Sequence, residues 1–291
     1  MVVADLHVHT TNSDGELSLA EVPTAADLAD LEAVAITDHD RPHPDLDEPV
    51  TEIDGVTVVH GIELRVEVSG DSVDARTPDG EDSSTNGGAR NTDHGFRVDL
   101  LGYGLDPTEE LLAECERIQR DRAERGGRIV ERLESRLGVH LDVDPRPGLG
   151  RPHIARAVAQ HPDLDYTVQS VFNELIGDGC PCYVARETPS FEQGRQLLGA
   201  ACEIVGLAHP LRYGDPEAAL ALTADLDAVE RWYPYERPVD PDGNLDVGPV
   251  ERAIEQYDLL ATGGSDAHGD TLGIAGLDRE AWQEVRTTLD R

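Results

Sequence analysis

Short apolar runs alternate with stretches of helical periodicity along most of the chain, a pattern that predicts an α/β fold with parallel strands. The apolar runs predict strands at residues 2–6, 33–37, 56–61, 97–101, 204–208, 228–232 and 259–263. Two capping boxes mark helix starts, Ser18 with Glu21 after the first strand and Ser190 with Gln193 ahead of the strand at 204–208. Two stretches break the alternation. Residues 69–95 are rich in Asp, Ser, Gly and Asn, and predict either a flexible surface loop or a hairpin with a long disordered tip. From Asp106-Pro107, read as an N-cap followed by proline at the first helical position, helical periodicity runs to about Leu137. Shorter helices are predicted near residues 153–160 and 167–176. The expected organisation is a barrel formed by residues 1–106 and 190–291, carrying an all-α insertion over residues 107–189. No internal repeat is evident.

The 291 residues suffice for one large α/β domain or one domain with a sizeable insertion. Hydrophobic residues make up 38%, enough for a packed core, although aromatics reach only 4%. No stretch resembles a signal peptide and no apolar run approaches the length needed to cross a bilayer, so a cytoplasmic protein with no membrane partner is expected. Charge changes the picture further. All 24 basic residues are arginine, against 59 acidic residues, for a formal net charge of −35. Such a chain repels itself at low salt and tolerates dense counterions at high salt, so with its periodic apolar segments a halophilic globule is expected rather than disorder. The charge argues against a long nucleic acid held tightly, which needs a basic footprint. At molar salt the Debye length is only about 3 Å, so a short anion still reaches a cationic site. Cys115, Cys180, Cys182 and Cys202 lack metal or redox spacing, and buried, reduced thiols are expected.

Candidate chemistry lies just past the predicted strands. The first strand ends in Asp5-Leu6-His7-Val8-His9, where residues two apart share a face, so His7 and His9 can share one metal. The second ends in Thr37-Asp38-His39-Asp40 and the third in His60-Gly61-Ile62-Glu63. Later strands lead into Ala208-His209-Pro210 and Gly263-Gly264-Ser265-Asp266-Ala267-His268. In a parallel barrel all of these lie at the carboxyl ends of the strands, where such barrels keep their active sites. Imidazole with carboxylate suits zinc, manganese or iron, and the absence of clustered thiolates argues against a structural zinc knot.

His7-Val8-His9, Asp14, Thr37-Asp38-His39-Asp40, Gly61-Ile62-Glu63, Ala208-His209-Pro210 and Gly264-Ser265-Asp266-Ala267-His268 together resemble the polymerase and histidinol phosphatase (PHP) superfamily, in order and over nearly the whole chain. Leu101-Gly102-Tyr103-Gly104-Leu105-Asp106-Pro107 and Gly150-Arg151-Pro152-His153-Ile154-Ala155-Arg156 further resemble its stand-alone branch, which includes nucleoside 3′,5′-bisphosphate phosphatases and 5′→3′ exoribonucleases. The resemblance implies a distorted (β/α)7, TIM-like barrel holding two or three divalent metal ions. It implies a first metal on His7, His9, Glu63 and Asp266, a second on Glu63 and His209, and a third on Asp14, His39 and His268. This chain has Asp99 where the family usually has a histidine, directly before the Leu-Leu-Gly-Tyr run. Asp99 is expected to complete the second position, with His94 as the alternative.

The activity so implied is hydrolysis of phosphate esters of nucleotides or short oligonucleotides by a metal-activated hydroxide. Without lysine, phosphate recognition falls to arginine, with Arg212 first, His153 and Arg151 next, and Arg186 after them. His43, His60, His140 and His161 are expected to be structural or surface residues. Two other activities stay open, a histidinol-phosphate-type phosphatase and an amidohydrolase-type metal-dependent hydrolase. Many amidohydrolases bridge their metals with a carboxylated lysine, and this chain has none.

Overall fold

The structure, a computed structural model, describes residues 1–69, 95–235 and 245–290. The chain divides into two compact units, residues 1–111 with 189–291, and residues 112–188.

The first unit is built on one sheet of strands β1 (Ala4–Val8), β2 (Ala33–Ile36), β3 (Val50–Ile53), β4 (Val56–Val68), β5 (Phe96–Tyr103), β6 (Ile204–Leu207), β7 (Ala228–Trp232) and β8 (Leu260–Gly263). Its order is β1-β2-β4-β5-β6-β7-β8, with β3 paired to β4 alone. The sheet curls into a half-barrel whose first strand meets the segment following its last, since His9 N donates to Ala267 O at 3.0 Å and Ala267 N to His7 O at 3.2 Å. Both faces are buried. In β2, Ala33 and Ala35 join a core with Leu6, Leu101, Tyr103, Trp282 and Val285, whereas Val34 and Ile36 join another with Val8, Val22, Ala26 and Val58. That is why the strands read as continuous apolar runs.

Strand direction departs from the all-parallel expectation at β5, which is antiparallel to both β4 and β6. The cause lies in β4. Beyond Gly61 the alternation of buried Leu64, Val66 and Val68 with half-buried Arg65 and Glu67 extends the strand to 13 residues, and β5 pairs back along it from Phe96 opposite Val68 to Tyr103 opposite Gly61. Residues 70–94, including His94, lie outside the described residues. The short strand β3 was not expected. Its signal was Asp54-Gly55, where positive φ values of 50° and 85° make the tight turn into β4.

Some helices in this unit start where side chains satisfy the first free N–H groups. The first, α1 (Val22–Leu28), does not: its N-cap is Glu21, without a side-chain bond. Proline stands in its first turn, and Ser18 N donates to Glu21 Oε2 at 2.9 Å, so the Ser18–Glu21 pair stands ahead of the helix instead of capping it. Thr108, not Asp106, caps α2 (Glu109–Leu137), its hydroxyl accepting Leu111 N–H at 3.2 Å. A reach of three residues from the cap needs Thr108, which leaves Pro107 outside the helix. Ser190 accepts Gln193 N–H at 3.2 Å at the start of α5 (Phe191–Gly199). Further helices are α6 (Pro216–Ala221), α7 (Gly248–Tyr257) and α8 (Arg279–Leu289).

In the second unit, most of α2, α3 (Arg151–Gln160) and the short α4 (Val168–Val171), continued by a π turn over Phe172–Ile176, bury Ile129, Leu133, Ile154, Val158, Val171 and Ile176 together. None of the four cysteines is in a disulfide. Cys115 and Cys182 are buried, but Cys180 and Cys202 are only half-buried. No described helix is long and apolar enough to cross a membrane.

Candidate metal centre

The first unit gathers all nine predicted ligands into one cluster. His7 sits on β1 and His9 just beyond it; His39 follows β2, His209 follows β6, and Asp266 and His268 follow β8. Glu63 and Asp99 stand inside β4 and β5 rather than past strand ends, because those strands extend through the centre.

Buried carboxylates hold the surrounding backbone in place. Asp38 accepts from Thr10 N and Thr10 Oγ1 at 2.7 Å, from Ser13 Oγ at 2.6 Å and from Asn12 Nδ2 at 3.1 Å, which fixes the loop carrying Asp14. Asp5 accepts from Ser265 N at 2.9 Å and Gly273 N at 2.8 Å, tying the segment with Asp266 and His268 to β1. Glu230 takes two roles. Its Oε1 lies 3.0 Å from His7 Nδ1, and its Oε2 accepts the backbone N–H of His209 at 2.7 Å. His209 and Asp266 both adopt left-handed backbone, φ 31° and φ 50°, a conformation that side-chain-bearing residues hold only when surroundings enforce it.

Three groups of donor atoms result. In the first, His7 Nε2 lies 3.5 Å from both Glu63 Oε2 and Asp266 Oδ1, and His9 Nε2 lies 3.4 Å from Glu63 Oε2 and 3.2 Å from Asp266 Oδ1. Donors about 2.0–2.1 Å from a tetrahedral ion are about 3.3–3.4 Å apart, and the four imidazole-to-carboxylate distances here are of that size. Both Nε2 atoms are buried without a hydrogen-bond partner, an arrangement too costly to leave uncompensated, while Glu63 Oε2 lies 2.8 Å from His39 Nδ1. In the second group His209 Nε2 lies 3.1 Å from Glu63 Oε1 and 3.7 Å from Asp99 Oδ2. In the third, Asp14 Oδ1 is 3.4 Å from His268 Nε2 and 3.8 Å from His39 Nε2, with a His9 nitrogen also in reach. Glu63 turns one oxygen to each of the first two groups, the position of a bridging carboxylate.

The charges of the cluster shift one another strongly. Burial opposes ionisation of Glu63, but His39, His7 and a hydrogen bond to His209 hold its carboxyl well below the usual range. Burial likewise opposes the charge on Asp266, and His7 and His9 overcome it, so its carboxyl also lies below the usual range. Burial disfavours protonation of His9, and the neighbouring His39 lowers it further, leaving a neutral ring suited to ligation. Burial works against His268 too, yet its hydrogen bond to Asp14 raises it to about 9.

Arg212, the first predicted phosphate contact, borders the first group. Its Nη1 donates to Asp266 Oδ2 at 3.0 Å and to Tyr233 Oη at 2.6 Å, while the side chain is 53% exposed. Arg151, His153 and Arg186 belong to the second unit. There Arg151 Nη1 donates to Asp178 Oδ1 at 3.1 Å, and His153 Nδ1 accepts Gly150 N–H at 3.1 Å. His60 Nε2 accepts His43 N–H and His161 Nδ1 accepts Asp163 N–H, both at 3.2 Å, while His140 pairs with Glu134 on the surface. Sequence reasoning missed Glu230, Asp38, Asp5 and Arg65. A lone acid inside the apolar run Ala228-Val229-Glu230 was the available signal for the first of these.

No protein-family model matches the chain. Among characterised proteins, it is 24% identical over 309 residues to a 3′,5′-nucleoside bisphosphate phosphatase from Chromobacterium violaceum, covering 100% of this chain and 99% of the relative. It is 25% identical to a phosphoribosyl 1,2-cyclic phosphate 1,2-diphosphodiesterase from Eggerthella lenta, covering 92% and 95%. It is 26% identical to a 5′-3′ exoribonuclease from Haemophilus influenzae, covering 72% and 69%. Among solved structures, a proposed metal-dependent phosphoesterase from Bifidobacterium adolescentis shares the fold at TM-score 0.70 and 23% identity, covering 99% and 96%.

Proposed function

We propose that this chain is a metal-dependent phosphoesterase whose substrates are phosphate esters of nucleotides or short oligonucleotides. Phosphoester hydrolysis is common to the relatives, which include a nucleoside bisphosphate phosphatase, a cyclic phosphodiesterase and an exoribonuclease. The observation that carries the reading is the quartet of His7, His9, Glu63 and Asp266, whose imidazole-to-carboxylate distances are 3.2–3.5 Å. Those four would hold one divalent ion; Glu63, His209 and Asp99 a second; Asp14, His39 and His268 a third. Mixed imidazole and carboxylate donors suit manganese, zinc or iron. The protein is read as a distorted barrel of cytoplasmic setting, working at high salt.

Bound divalent cations supply a Lewis acid for phosphoryl oxygens and an activated water near neutral pH. The chain's own residues arrange that chemistry. Glu63 spaces the first two positions, and Glu230 fixes the His7 ring so that Nε2 faces inward. Arg212, anchored through Nη1, can offer Nε and Nη2 to a phosphate oxygen beside the first position. The test is phosphate release by purified protein in molar salt with Mn²⁺, across bisphosphates, short RNAs, histidinol phosphate and amide substrates. Nucleotide or RNA turnover abolished by chelation is expected; turnover of amides alone would overturn the reading.

A further inference from the structure

Among the described residues two guanidinium groups touch the centre, and they touch it differently. Arg212 reaches Asp266 at Oδ2, leaving Oδ1 to face His7 and His9. Arg65 instead grips both oxygens of Asp99, with Nε 2.7 Å from Oδ1 and Nη2 2.7 Å from Oδ2. Of the two Asp99 oxygens, Oδ2 is the one that faces His209 Nε2, at 3.7 Å. The donor atom that would complete the second position is therefore already accepting a charge-assisted hydrogen bond, and a full positive charge stands beside it. Asp99 is 2% exposed, and its backbone N–H donates to Tyr213 Oη at 2.8 Å.

We propose that Arg65 sets the affinity of the second metal position by competing for Asp99, making that position weak and exchangeable beside a tight first position. The proposal rests on the metal assignment above. A guanidinium and a divalent ion sharing one carboxylate repel each other at a few ångströms, and the shared oxygen is a poorer donor to either. Arg65 and Asp99 face each other in the β4–β5 register, and the alternation of β4 that puts Arg65 on the same face as Glu63 delivers it to Asp99. Arg65 is thus a positioning residue, acting on the cation through Asp99.

The test is Mn²⁺ titration of the full chain followed by paramagnetic resonance, with the second position identified as the binding class lost in His209→Ala. In the wild type that class should bind more weakly than the class lost in His9→Ala. Arg65→Met should tighten it by on the order of tenfold or more, whereas Arg65→Lys, which keeps the charge, should stay near the wild type. Should Arg65→Met fold poorly, with Asp99 buried and unpaired, the double variant Arg65→Met with Asp99→His removes both charges and should bind the second ion tightly. Unchanged or weaker binding of the second ion in either variant, with the first intact, overturns the proposal. Loss of all metal binding in the wild type would instead overturn the metal assignment itself.

Discussion

His7 presents Nε2 to the donors of the first group because Glu230 holds its other ring nitrogen 3.0 Å away, deep in the core. Partners of this kind typically contribute 10–100-fold to metal affinity, so Glu230→Gln should weaken metal binding by about that factor while the chain stays folded, as equilibrium dialysis would read. Removing a donor should be more severe. His9→Ala or Asp266→Ala should lose the first ion and nearly all phosphate release, with far-ultraviolet circular dichroism unchanged. Another buried ring sets a pH limit. Burial holds the His60 imidazole down to about 4 from 6.5, and its Nε2 accepts a backbone N–H that needs the neutral form. Between those values the unfolded chain takes up a proton that the folded chain refuses, so stability falls as pH drops from about 6.5 to 4. Urea midpoints across that window should fall more steeply in the wild type than in His60→Gln.

The strands bring these residues together, and one contact between elements is especially tight. A Cβ on Gly264 would lie 2.4 Å from both Cβ and N of His7, so only glycine lets the end of β8 pass β1 at that height. Gly264→Ala should cost roughly 2–4 kcal/mol and displace Asp266 from the first group, measurable as a lower melting temperature together with lost metal. At this scale the sequence was legible where burial was two-sided, since apolar runs such as Ala33–Ile36 carry their own signal. The direction of β5 was not legible, because antiparallel and parallel strands share the same two-residue alternation and only pairing partners distinguish them. The ligand set was legible because imidazoles and carboxylates at strand ends stand out from apolar neighbours. The residues behind them were not: Asp38, Asp5 and Arg65 look like ordinary charges until the fold shows which atoms they grip.

Across the molecule, a formal charge of −35 with arginine as the only strong base sets the working conditions. Self-repulsion is screened at molar salt, where the Debye length is about 3 Å. The melting temperature should therefore rise steeply with potassium chloride, with loss of structure in dilute buffer; a salt-independent melting curve would remove high salt as the chain's condition. The centre concentrates part of that negative charge where cations would offset it. Metal content and activity are therefore the most direct test of the whole account. Protein stripped by a chelator in molar salt should release no phosphate from a nucleoside 3′,5′-bisphosphate, and should recover when Mn²⁺ is returned. Full phosphate release from protein with no bound metal would contradict the account.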